Sequence, residues 1–166
     1  MRLFALLTGA VAFFSVGAVA PSQAARDDGQ NDKPRYVYEQ TTGNLYLVAG
    51  ADRTLLGTGY SGTGDGRNNP DLQGTRNVGP IPQGLWRIGD AHDSQKTGKL
   101  VMDLTPVGHD ALGRSDFQMH GDNAKTHDAS HGCIVMDRSV REKIASGEVR
   151  ELEVVHGPDA KKEGDR

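Results

Sequence analysis

The sequence predicts a mainly β domain, sandwich- or barrel-like, with one short helix. Three observations carry this. Glycine is frequent, at 22 of 166 residues. Short β-branched or aromatic runs recur between Gly, Pro and Asn clusters, and long helical periodicity is missing from the body of the chain. Many short strands divided by turn residues indicate a sandwich or barrel rather than βαβ units.

Residues 35–40 and 44–48 read as two strands, with Thr42-Gly43-Asn44 between them as a hairpin loop. Residues 54–60 continue as a third. Further strands are expected over 84–88, 99–104, 115–120 and 151–155. One helix follows the strand that carries the cysteine. Ser139-Val140-Arg141-Glu142 has the form of a capping box, Val140 and Ile144 share a face, and Gly147 can end the helix. Trp86 belongs to a strand and to the core.

Arg2, an apolar run from Leu3 to Ala20, and Ser22-Gln23-Ala24 describe a secretory signal peptide over residues 1–24. A retained membrane anchor is the competing reading; the Ser-x-Ala ending and the polar stretch after it favour cleavage, with no stable anchor afterwards. Residues 25–34 read as a disordered linker, 35–157 as one catalytic-size domain and 158–166 as a disordered tail. The expected location is exported, periplasmic or secreted. Cleavage removes one of 19 basic side chains and none of the 22 acidic ones. That weakly acidic, mixed balance argues against nucleic acid as a partner.

Cys133 is the only cysteine, so an intramolecular disulfide is impossible. It is free, paired with another chain, or a nucleophile. It stands in Ser130-His131-Gly132-Cys133, downstream of His120-Gly121-Asp122. A histidine can take the proton of a thiol whose ordinary pKa of about 8.5 leaves little thiolate at neutral pH. In an extended 115–120 segment, Phe117 and Met119 share one face and Asp116, Gln118 and His120 the other. His120 then points outward or into a cleft. Gly132 leaves room beside the sulfur, and backbone N–H groups near Gly132 and Cys133 can face an oxyanion. The glycine-rich stretch from Ser61 to Pro70 can bring its backbone against an anion or an extended peptide, or serve only as a surface loop. His92, His109, His127 and His156 sit in polar contexts and receive no role.

His120-Gly121-Asp122 with Ser130-His131-Gly132-Cys133-Ile134 resembles the signature of YkuD-type L,D-transpeptidases, in which an upstream histidine serves a nucleophilic cysteine. The spacing between the two motifs is shorter than is usual there. Over more of its length the chain is similar to the Tlde family, L,D-transpeptidase-like effectors associated with type VI secretion. Tyr60-Ser61-Gly62, Gly66-Arg67-Asn68-Asn69-Pro70, Asn77 to Gly84, Gly113-Arg114-Ser115 and the two motifs above carry that similarity.

The resemblance implies an L,D-transpeptidase-type fold and peptidoglycan stem peptides as substrate. Cys133 would be the nucleophile and His120 the base, with Ser130 and His131 shaping the site. A thioester acyl-enzyme would pass to water, as in an L,D-carboxypeptidase, or to an amine, as in transpeptidation or amino-acid exchange. Ser61, Gly62, Arg67, Asn68, Arg76, Arg114 and Gly132 are the candidate substrate contacts, the arginines as clamps for stem carboxylates. No cofactor is implied. The effector branch brings an immunity protein into view as a partner, whereas the export signal favours a resident envelope enzyme. Two other readings remain: a wall-binding module without chemistry, and a zinc-dependent peptidase using His120, Asp122, His127, His131 and Cys133.

Overall fold

The computed structural model describes residues 33–158. The expected signal peptide, most of the linker and all but the first residue of the tail lie outside the described residues.

Nine strands are described: β1 Arg35–Glu39, β2 Asn44–Ala49, β3 Asp52–Thr58, β4 Tyr60–Ser61, β5 Gly84–Ser94, β6 Gly98–Val107, β7 Gln118–His120, β8 Ile134–Val135 and β9 Glu151–Val155. They form one mixed open sheet in the order β3-β2-β1-β9-β5-β6-β7-β8-β4. The β1–β9 and β7–β8 pairs are parallel. The two edge strands, β3 and β4, are separated in the chain by Gly59 alone. One residue spans only about 3.3–3.6 Å, so the sheet curls until its edges meet there. A Cβ on Gly59 would lie 2.0 Å from the Val135 carbonyl oxygen, which leaves glycine as the residue that fits.

One apolar cluster forms the core. Tyr38, Leu45, Trp86, Met119, Ile134 and Leu152 are fully buried, and the Trp86 indole N–H is satisfied by the Pro82 carbonyl at 3.1 Å. Helix α1, Arg138–Ser146, adds Val140 and Ile144 to this core. Burying a side chain of that size contributes about 1.5–3 kcal/mol.

Local differences from the sequence reading have local causes. The expected capping box does not form: α1 starts at Arg138 after an N-cap Asp137 that makes no side-chain cap bond, and Glu142 accepts from Arg138 Nε at 2.8 Å. Gly147 does end the helix, its N–H donating to the Lys143 and Ile144 carbonyls. The 115–120 run is a strand only from Gln118, because Asp116 has φ +63. The third strand is interrupted at Gly59, and the β5–β6 hairpin runs well past the expected ends through irregular register.

Candidate active site

Parallel pairing brings the two motifs together. Met119 is in register with Ile134 and His120 with Val135. One step back along the same register sets Cys133 beside Gln118, on the face that His120 shares. Cys133 and His120 line one cleft of about 730 Å³, whose walls include Arg76, Lys96, Arg114, Asp116, Gln118 and His131. Strand alternation holds at the three residues that matter: Phe117 and Met119 enter the core, while His120 turns to the cleft and is nonetheless only 2% exposed.

His120 Nδ1 lies 2.7 Å from the Gly121 carbonyl oxygen. A carbonyl only accepts, so Nδ1 carries the proton and the lone pair of the neutral ring is on Nε2. Burial holds the His120 pKa below the ordinary histidine value, and the nearby Arg141 charge pushes the same way, against the opposing Gly121 bond and Asp122 charge. The ring is therefore a free base at neutral pH.

Cys133 Sγ donates to the Asp116 carbonyl at 3.7 Å. Burial pushes its thiol pKa up, opposed by the Gln118 backbone N–H and by the charges of Lys96 and Arg114. The two directions of shift favour a neutral imidazole and a neutral thiol in the cleft.

Ser130 shapes the turn that presents the sulfur. It is buried, and its Oγ donates to the Cys133 carbonyl at 2.6 Å while accepting from the N–H groups of Gly62 and Gly132, each at 3.0 Å. The Gly132 N–H is thereby committed, which removes it from the expected oxyanion donors. His131 is exposed on the cleft wall. Its carbonyl accepts from Arg114 Nη2 at 3.2 Å.

The expected substrate contacts separate into groups. Arg76, Arg114 and Gly132 line the cleft. Arg114 is no open clamp, however: Nη1 donates to the Gln73 and Pro80 carbonyls at 2.5 and 2.6 Å, and Nη2 to those of Gly79 and His131. It ties the loop before β5 to the cysteine turn, with its cation over the Phe117 ring. Ser61 and Gly62 are buried supports behind the turn; Ser61 Oγ donates to the Gly132 carbonyl at 2.9 Å and accepts from the Ile81 N–H at 2.8 Å. Arg67 stacks on Tyr60, 3.5 Å from the ring centre, and lines a separate cavity of about 360 Å³. Asn68 accepts from the Ser61 N–H at 3.0 Å. The glycine-rich loop thus braces the site from behind.

Three contributors carried no motif signal, and a fourth, Tyr60, stood in a motif without a role assigned to it. Gln118 and Lys96 reach the cleft because β7 and the β5–β6 hairpin do. Arg141, 5% exposed, donates from Nε to the Met136 carbonyl and from Nη1 to those of Lys99 and Leu100. It fastens α1 to β6, and a Cβ on Gly121 would meet its Nη2 at 2.7 Å. Tyr60 Oη donates to Asp122 Oδ1 at 2.5 Å and accepts from the Ala129 N–H, closing the loop between the motifs. Burial and the Asp122 bond raise its pKa to about 12, so it remains a donor.

Among the described residues, no group of three or more His, Cys, Asp or Glu is arranged to hold a metal ion. Asp122, one of the candidate ligands, is engaged by Tyr60, the Asn123 N–H and His127. No described helix is long and apolar enough to cross a membrane.

No curated protein matches the chain. Among solved structures, that of Bdellovibrio bacteriovorus Bd1075 superimposes with a TM-score of 0.49 at 13% identity, covering 78% of this chain and 49% of that one. This chain spans about half the length of that protein. The Tlde1 domain profile matches residues 57–158, which hold both motifs, the Arg114 brace and most of the sheet. The chain belongs to the Tlde1 domain family, and so to the L,D-transpeptidase-like domains related to peptidoglycan enzymes.

Proposed function

We propose that this protein is an exported cysteine enzyme that acts on peptidoglycan stem peptides through a thioester on Cys133. The observation that carries the reading is the shared cleft, in which a buried neutral histidine with its lone pair on Nε2 lines the same wall as the chain's single thiol.

The Cys133 proton passes to His120 Nε2 as the sulfur attacks the carbonyl carbon of an L,D-amide. The S–C bond forms, the C–N bond breaks, and the imidazolium returns the proton to the departing amine. The resting, protonated thiol makes this base essential, because little thiolate waits in its absence. The Gln118 N–H and the Lys96 and Arg114 charges favour negative charge on sulfur. Attack by water on the thioester releases a shortened stem, whereas attack by an amino acid exchanges the terminal residue.

Product analysis tests the reading. Protein cleaved of residues 1–24 is incubated with disaccharide-tetrapeptide, with and without a free D-amino acid, and the muropeptides are read by mass spectrometry. Loss or exchange of the terminal residue, unaffected by a strong chelator, is expected. Unchanged muropeptides would leave a wall-binding module as the better account, and chelator-sensitive cleavage would return zinc to consideration.

A further inference from the structure

The cleft holds three cationic side chains, Arg76, Lys96 and Arg114. Arg114 is spent on four carbonyls, and Arg76 donates from Nη2 to the Gly113 carbonyl at 2.9 Å. Lys96 is different. Among the described residues its ammonium has neither an ion pair nor a hydrogen-bond partner.

Its backbone is nonetheless held firmly. Lys96 sits in the turn between β5 and β6, where Ser94 Oγ accepts from the N–H groups of Lys96 and Thr97 at 3.2 Å each. Thr97 Oγ1 donates to Gln118 Oε1 at 2.9 Å, and Gln118 Nε2 donates to Asp103 Oδ1 at 2.7 Å. Gln118 lies on β7, two residues before His120 and beside Cys133. A hydrogen-bond chain therefore docks the hairpin tip onto the strand that carries the base. The tip is docked, and its one long cationic side chain is exposed at the cleft wall without a protein partner among the described residues. An exposed cation on the wall of a reaction cleft, with no partner from the protein itself, is placed to meet an anion that the substrate brings.

We propose that Lys96 binds a carboxylate of the substrate beside the bond that Cys133 attacks, selecting peptides whose departing residue has a free C-terminal carboxylate. This rests on the function proposed above and names its specificity residue. An ammonium is a compact charge with three donors on a flexible stem, suited to one terminal carboxylate. A stem ending in an amide, or extended by another residue, offers no anion at that point. The cation would then gain no contact with the substrate, and the acid is preferred by the free energy of that one contact. The same charge favours the thiolate, in keeping with its effect on the Cys133 thiol.

The test compares wild type, Lys96→Met and Lys96→Arg on the tetrapeptide stem and its C-terminal amide. Wild type should prefer the acid by about tenfold or more. Lys96→Met should bring the preference towards unity by losing more rate on the acid than on the amide, since both lose the charge that favours the thiolate but only the acid loses its carboxylate contact, and Lys96→Arg should keep most of the preference. An acid preference unchanged in Lys96→Met overturns the proposal. If wild type turns over neither peptide, the function reading fails and Lys96 is judged separately by alkylation of Cys133. Iodoacetate and iodoacetamide react with the same thiolate, so the ratio of their rates isolates the cleft charge. That ratio should fall several-fold, of the order expected for loss of one steering charge, in Lys96→Met and recover in Lys96→Arg. In that case an unchanged ratio overturns the anion site.

Discussion

His120→Asn will lower kcat/KM by about 10²–10⁴-fold, the usual contribution of a positioned general base, with the fold retained. Asparagine can replace the Nδ1 donation to the Gly121 carbonyl through its own amide N–H, but it offers no Nε2 lone pair. The pH profile separates loss of the base from loss of structure. Burial and the Arg141 charge hold the His120 pKa down, so the acid limb of wild-type kcat/KM should have its midpoint below about 6.5, the ordinary histidine value. Protonation there removes the base, and the limb should vanish in His120→Asn. A midpoint above 7 would contradict the buried-base account. Stability should follow the same sign. Between its depressed folded pKa and about 6.5, the unfolded chain binds a proton that the folded chain refuses, so stability falls as pH drops through that window.

Gly132→Ala will cost both stability and activity. Gly132 has φ +132, and an added Cβ would lie 2.2 Å from Arg114 Nη2 and 3.1 Å from the Phe117 ring. An arginine end group would ordinarily swing away. Here its N–H groups are held by the carbonyls of Gln73, Gly79, Pro80 and His131, so moving it breaks bonds in three segments. Backbone strain costs about 1–3 kcal/mol, and leaving buried partners unmet costs about as much again. Gly98→Ala is the control, with φ +93 and nothing within 4 Å of the new Cβ. Thermal melting should show a clearly larger loss for Gly132→Ala, with activity at least about tenfold down because the sulfur is re-aimed. Equal losses in the two variants would mean that strain alone matters and that Arg114 yields.

The fold was legible where apolar side chains alternate against polar ones. β1, β2 and β9 lie where Arg35, Asn44 and Glu151 begin their runs, and the Val140/Ile144 stripe located α1. Legibility failed where burial is absent or backbone geometry decides. The outer part of the β5–β6 hairpin, from Asp90 to Ser94, is exposed or half-buried and so has no pattern to read. Asp116 turns into the left-handed region, which shortened β7 without any glycine to mark it. The site followed the same division. Cys133, His120 and the need for glycine at 132 stood in contiguous motifs. Lys96 and Arg141 come from distant segments that meet only through strand order, and Arg114 had the right motif but spends its donors on the protein's own carbonyls.

An acyl-enzyme on Cys133 can be trapped and weighed. Wild-type protein mixed with excess tetrapeptide stem and quenched in acid should gain the mass of the stem without its terminal residue. The adduct should map to the peptide containing Cys133 and be released by neutral hydroxylamine, as a thioester is, and Cys133→Ala should show neither adduct nor product. An adduct on another residue, or product formed by Cys133→Ala at an undiminished rate, would contradict the account.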